Sequence, residues 1–459
     1  MYSGIVNSFL KSLRALRFYV ESVEPLASKH FFEVTDNPVA TIMWMFKKSK
    51  ESGSDLKGEV EKDEKMPDNL KSNISKLIVF AEDHLIEKEV DGKPVYNYNI
   101  SVAELKEQYE KIEVQDKQNQ ILYSGSLMLL ITYFENTISK LFRADFINHP
   151  QRVSLSNKSV PYKVLEDSES IEEVKNHLVD AEVTNMMYGS LSDWIDYFKK
   201  NMKMQLSYIT NNYLDLIEII ARRNLFVHND GIVNKIYLSL VGSEVKSKYG
   251  NGDLITIDKE YLYNAINIIE RAGISLTFEL WIKEYGKIDG ETGKILDIIY
   301  GEYLFKERWE CAKIFYDVCL SYEKMKKSES LMCMINRWQC FNWLDKFDEV
   351  RSEVEKSDVS AYSPRYQLGI LALLDDVEGF FDKFDNQDEI GEDELRNWPL
   401  FKKIRESDTY NNRFSDEKNR LDNEEKVVSE ENNNEEGNEV KNISDKELSI
   451  ILESDVNTK

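Results

Sequence analysis

The chain has 459 residues, of which 42% are hydrophobic and 31% charged, with a formal net charge of −24. So long a chain exceeds what one core usually serves, and roughly two to four domains are expected. No stretch approaches the ~20 uninterrupted apolar residues of a membrane span, and the acidic balance disfavours nonspecific, salt-driven binding to duplex DNA.

The opening MYSGIVNSFLKSLRALRFYV lacks the continuous apolar block and small-residue cleavage site of a secretory signal, which points to a cytoplasmic protein. Apolar residues recur at three and four over residues 5–20, with Lys11, Arg14 and Arg17 between them. That pattern predicts a core helix with a solvated basic face. Residues 38–48 and 68–90 read as further helices, separated by a charged loop (51–69) that contains Pro67. VDGKPVYNYNISV (90–102) carries a turn signal and a short β-prone run, so a small hairpin is expected there. From residue 103 a long helix builds towards Pro150. Its centre, Leu127 to Phe134, is apolar nearly all round and should lie buried inside a bundle. Shorter helices follow at 169–183 and 191–202. A second long helix runs through SYITNNYLDLIEIIARRNLFVHNDG (207–231), where Asn229, Asp230 and Gly231 form a stop signal. Residues 258–286 complete this group.

Residues 291–405 hold successive helix pairs with aromatic and small residues at intervals. The spacing is close to that of stacked hairpins of the tetratricopeptide kind, although the Trp-Leu-Gly-Tyr consensus is not reproduced. Cys311, Cys319, Cys333 and Cys340 form no Cys-x2-Cys pair and have no histidine nearby, so lone buried thiols are expected rather than a zinc site. From residue 415 the chain is rich in Asn, Glu and Asp and poor in aromatics, which predicts disorder with one short helix at 445–453. Residues 416–459 hold 14 acidic and 6 basic side chains, whereas 119–285 hold 21 and 17. The central helical group is therefore close to neutral and leaves room for a local cationic cleft. The organisation expected is all-α: a mainly helical N-terminal unit (1–117), a bundle (118–288), a helical-hairpin region (289–414) and an acidic tail (415–459).

ARRNLFVHND (221–230) breaks the apolar pattern of its helix, crowding Arg222, Arg223, Asn224 and His228 towards one end. Histidine is the one side chain here that ordinarily titrates near neutrality, which suits His228 to general acid or base work. Arg223 offers a planar, permanently charged fork of donors matched to phosphate oxygens. Asn224 lies four residues before His228, on the same helical face, and can orient a phosphate or the imidazole. Spacing alone does not define a site, since Arg143 and His149 in RADFINH repeat it in a looser form. The plain alternative is two charges near a helix C-terminus and a capping histidine. Glu135 sits within an apolar helix and needs a partner, for which Arg222 or Arg223 is the candidate. No His/Asp/Glu set shows metal-ligand spacing, so no metal or cofactor is expected.

The string ARRNLFVHNDGIVNKIYL, preceded by SLMLLITYFENTISKLF and followed by EYLYNAINIIERAGISL, resembles the HEPN superfamily over about residues 118–286. Those domains are small helical bundles found in many prokaryotic ribonuclease toxins and defence proteins. Their signature is an arginine, a polar residue and then a histidine, near the end of a long helix. The resemblance implies a metal-independent endoribonuclease that cleaves single-stranded RNA, a toxin or anti-phage defence effector working without a cofactor. It implies catalytic roles for Arg223, Asn224 and His228, with Arg222, Glu135 and Asn229 in support. The partners implied are RNA (single-stranded or tRNA-like), a second copy of the chain bound through the bundle, and a protein partner or trigger at the C-terminal helical region. In a straight helix, residues five apart lie about 140° apart around the axis. One regular helix therefore does not aim Arg223 and His228 at one phosphate. Either the helix distorts near His228 or two copies meet in a homodimer. The other reading is a non-catalytic HEPN-like bundle that binds nucleotide or RNA, or a scaffold acting through its helical repeats.

Overall fold

A computed structural model describes residues 1–34, 38–63, 66, 68–90, 92–99, 103–322 and 325–414. The disorder expected from residue 415 and the helix expected at 445–453 lie outside the described residues. Among those described, the protein is all-α apart from one two-stranded hairpin, and no helix is long and apolar enough to cross a membrane. The described residues divide into two compact units, one within 1–298 with 317–325, the other within 299–316 with 326–414.

In the first unit, α1 (Tyr2–Val34), α2 (Pro38–Ser52), α3 (Leu56–Lys62) and α4 (Asp68–His84) lead into an antiparallel pair, β1 (Leu85–Val90) and β2 (Lys93–Tyr98), and then α5 (Ala103–Asn148). Short helices α6 (Tyr162–Asp167), α7 (Ile171–Met187), α8 (Leu191–Lys200) and α9 (Ser207–Asn211) precede α10 (Tyr213–Asn229). α11 (Lys235–Leu240) and α12 (Ser243–Lys248) then lead to α13 (Lys259–Tyr285) and α14 (Glu291–Ile299).

α1 buries Tyr2, Val6, Phe9, Leu13, Leu16 and Val20, spaced by three or four, and lays that face on α5 and α13. Gly273 of α13 permits the close approach, because a Cβ there would lie 2.5 Å from the Phe9 ring. Arg17 leaves the solvated face expected for it. It reaches Glu270 of α13 at 3.0 Å, a carboxylate only 2% exposed.

Three expectations are corrected. The hairpin begins at Leu85, which pairs with Tyr98, so the last six residues of the helix expected over 68–90 are a strand. The charged loop contains α3, whose first turn is capped by the Asp55 carboxylate accepting the Gly58 N–H at 3.1 Å. The boundary expected at residue 117 falls inside α5, and the residues before it share one compact unit with the bundle.

All-round burial also lies elsewhere than expected. Leu127, Leu130, Ile131 and Phe134 of α5 are buried, but Leu129 between them is 43% exposed, so α5 is one-sided. Burial on all sides is found in the second half of α13, in which every residue from Ala272 to Ile282 is buried. Its one acid in that stretch, Glu279, accepts the backbone N–H of Leu206 at 3.0 Å. This closes a left-handed residue at the entry to α9.

The second unit takes the greater part of α15 (Trp309–Leu320), followed by α16 (Lys327–Trp343), α17 (Arg351–Glu355), α18 (Pro364–Leu373), α19 (Val377–Asp385), α20 (Glu392–Asn397) and α21 (Lys402–Glu406). α16 packs on α18 and α18 on α19, around Trp338, Phe341, Leu368, Leu373, Phe380 and Phe401. Phe380 and Phe401 meet edge to face, with ring centroids 5.0 Å apart. All four cysteines are buried and none forms a disulfide.

Candidate functional site

α10 carries the polar motif. It buries Leu216, Ile219, Ala221 and Leu225, and it runs unbroken through Asn229, so the 140° offset between Arg223 and His228 stands. Asp230 (φ 47°) and Gly231 (φ 79°) then close the helix in the left-handed region, at the stop expected from the sequence. The Gly231 N–H returns to the Leu225 carbonyl at 3.3 Å, and the Ile255 N–H reaches the Gly231 carbonyl at 2.9 Å. The Asn229 side-chain amide donates to the Ile232 carbonyl within the same turn. Asn229 thus holds the backbone that follows the motif.

A Cβ at Gly231 would sit 2.9 Å from the Ile255 carbonyl oxygen and 3.2 Å from the Phe226 ring. With its positive φ added, Gly231→Ala is expected to cost about 1–3 kcal/mol. Urea denaturation checks this, and an unchanged midpoint would contradict it.

The two neighbouring arginines face different surroundings. Arg222 is 7% exposed. Its Nε donates to Glu218 Oε1 at 2.7 Å, its Nη1 donates to the Thr256 carbonyl at 3.2 Å, and its guanidinium lies 3.8 Å from the centroid of the Tyr261 ring. Glu218 also accepts the hydroxyls of Tyr237 and Tyr261, each at 2.6 Å. Burial, and then the Glu218 carboxylate beside them, hold both phenols protonated well above the usual tyrosine range. Arg222 is thus spent on packing inside the bundle and presents nothing to a ligand, so the supporting contact with RNA expected of it has no surface from which to act.

Arg223 lies in the groove between α10 and α5. Its Nη2 meets Glu135 Oε1 at 2.5 Å, so Glu135 pairs with Arg223 rather than Arg222. The pair is half-buried, and Arg223 Nε is buried with no hydrogen-bond partner. Asn224 and His228 are exposed, and neither side chain makes a hydrogen bond among the described residues. His228 therefore caps nothing. Phe226, one turn beyond Arg223 on the same face, borders a cleft of about 410 Å³. Lys117, Gln120, Ser124 and Met128 of α5 form one wall, with Asp230 and the 254–257 segment opposite. Lys117 Nζ stands 3.7 Å from Asp230 Oδ1 across it.

The second Arg/His pair is committed elsewhere. Arg143 pairs with Asp180 and donates to Asn176, and His149 Nε2 meets Glu284 Oε2 at 2.5 Å. The fold also assembles a set of possible ligands that spacing did not reveal: donor atoms of Asp145, His149 and Glu284 lie within 4.8 Å of one another. Asp145 lies in the last turn of α5 and His149 directly after its end, four residues on, which was visible in the sequence. Glu284 arrives from α13 and has no sequence signal.

Compared with known proteins, the chain matches no family model, no curated protein and no solved structure.

Proposed function

We propose that the chain is a HEPN-type, metal-independent endoribonuclease acting on single-stranded RNA, in the manner of a cytoplasmic toxin or defence effector. The observation that carries this reading is the contrast at the end of α10. Arg223 is anchored across the groove by Glu135, while the Asn224 and His228 side chains stand exposed and without hydrogen bonds among the described residues. In the reaction a ribose 2′-oxygen attacks the adjacent phosphorus and the bond to the 5′-oxygen breaks. The 2′-oxygen loses a proton and the leaving oxygen gains one. His228 exchanges that proton, Arg223 meets the charge gathering on the phosphate oxygens, and Asn224 orients the phosphate or the ring. Because α10 is unbroken, the reading requires a homodimer in which Arg223 of one copy works with His228 of the other. The apolar cleft beside Phe226 gives an unstacked base a place to lodge. The second unit is left to bind a partner or sense a trigger.

Glu135 has a positioning role in this scheme. Glu135→Ala is expected to lower kcat by roughly 10- to 100-fold with little change in KM, because a misplaced guanidinium stabilises the transition state poorly. Initial rates check it, and an unaltered kcat would make the ion pair merely structural.

The direct test incubates purified full-length protein with single-stranded RNA in EDTA. Fragments ending in 2′,3′-cyclic phosphate are expected. No cleavage, or cleavage that appears only when a divalent metal is added, overturns the proposal. Expression should also be harmful with His228 and harmless with alanine there. One observation favours a non-catalytic RNA-binding bundle instead: the Arg223 fork already holds a carboxylate. That reading predicts RNA affinity without turnover.

A further inference from the structure

At the far end of α5, polar groups from several helices converge beneath the surface. The Asp145 side chain is wholly buried. The His149 N–H bonds to the Asp145 carbonyl at 2.7 Å just past the end of α5, and donor atoms of the two side chains and of Glu284 lie within 4.8 Å of one another. Glu284, near the end of α13, meets His149 from across the bundle. Tyr197 of α8 donates its hydroxyl to Asp145 at 3.2 Å. Arg152 pairs with Asp145 and stands 3.8 Å from Glu284.

These contacts leave one group unaccounted for. The Tyr2 side chain, at the start of α1, is 2% exposed, and its hydroxyl has no hydrogen-bond partner. Its ring packs on Trp281 and on Tyr285, the residue after Glu284, with centroids 6.1 and 5.8 Å away. A buried hydroxyl beside this cluster without a hydrogen-bond partner marks room for a further polar group.

We propose that Asp145, His149 and Glu284 bind a divalent transition cation of the zinc class, with the Tyr2 hydroxyl directed at the cation or a water on it. One imidazole nitrogen and two carboxylate oxygens suit such an ion, and shifts of a few tenths of an ångström to an ångström bring the donors to its bond lengths. Binding replaces the His149–Glu284 hydrogen bond, and the proton held between them leaves to solvent. Arg152, with 21% of its side chain exposed, is the competing cation and has a route to withdraw. The ion would join α1, α5 and α13 at a point about 15 Å along α5 from Glu135, clear of the RNA site proposed above.

The test titrates Zn2+ into EDTA-stripped, dialysed full-length protein, read by calorimetry and thermal melting. One saturable site per chain is expected, with Tm rising on addition of zinc. His149→Ala and the near-isosteric Glu284→Gln should each abolish both effects while far-UV circular dichroism stays native. Arg152→Gln separates a metal site from a closed ion-pair network. Removing the rival charge should tighten zinc binding about tenfold, whereas a network without a metal would lose stability and gain no zinc response. Absence of saturable binding, survival of binding in His149→Ala, or no zinc response in Arg152→Gln overturns the assignment.

Discussion

His228→Ala should slow cleavage of single-stranded RNA by roughly 10²- to 10⁴-fold, the range set by loss of a general acid or base. The same substitution should leave stability within about 0.5 kcal/mol of wild type, because an exposed side chain without packing or hydrogen bonds contributes little to folding. The two readings together make the experiment decisive. A lost rate at an unchanged melting temperature is a chemical effect, not a folding one. Initial rates on a defined oligonucleotide and a thermal melt of the same preparation measure both. A variant that keeps its rate within about threefold would remove His228 from the mechanism.

Arg222→Ala should have the opposite signature, a loss of about 3–5 kcal/mol in stability from removing one member of a buried ion pair. Its neighbour Glu218 would be left with two tyrosine hydroxyls and no cation, in a site where neither partner side chain is more than 10% exposed. The double variant Arg222→Met, Glu218→Gln should recover much of that loss, since neither an unpaired charge nor a large void remains. Urea denaturation of the three proteins gives the coupling directly. A single-variant loss below about 1 kcal/mol would mean that water reaches Glu218 and that the network is not closed. Arg223→Ala, one residue on, should instead act on rate, so adjacent arginines would separate into a folding residue and a site residue.

That separation shows what the sequence holds and what it leaves to packing. The three-and-four periodicity of α1 is set by local geometry and can be read directly, whereas in α10 the periodic run through Leu214, Ile217 and Ile220 misplaces the buried face, since Leu214 is 57% exposed and Leu216 and Ile219 are buried. The Gly231 stop is legible for the same reason, because only the local backbone decides it. Which arginine turns inward is a different matter. Neighbours on a helix differ by about 100° in direction, and the pattern alone does not say which direction holds the partner. Glu218, four residues before Arg222, was a local clue, whereas Tyr261 and Thr256 come from beyond the next two helices. The boundary expected at residue 117 followed the extent of the family resemblance, about 118–286, and cuts one continuous helix that the sequence already showed building from residue 103. The early start of β1 reflects a similar ambiguity, since LIEKEV alternates well enough for a strand yet continues a helical run. Asp145, His149 and Glu284 went unrecognised because register between α5 and α13 follows from side-chain packing, and no spacing encodes it.

The most direct measurement mixes two inactive variants, Arg223→Ala and His228→Ala, at equal concentrations under conditions that let subunits exchange. In the proposed symmetric dimer each site takes Arg223 from one copy and His228 from the other, so half the dimers are mixed and each holds one intact site. Cleavage should return to about a quarter of the wild-type rate. A mixture no more active than either variant alone would contradict a site shared between two copies.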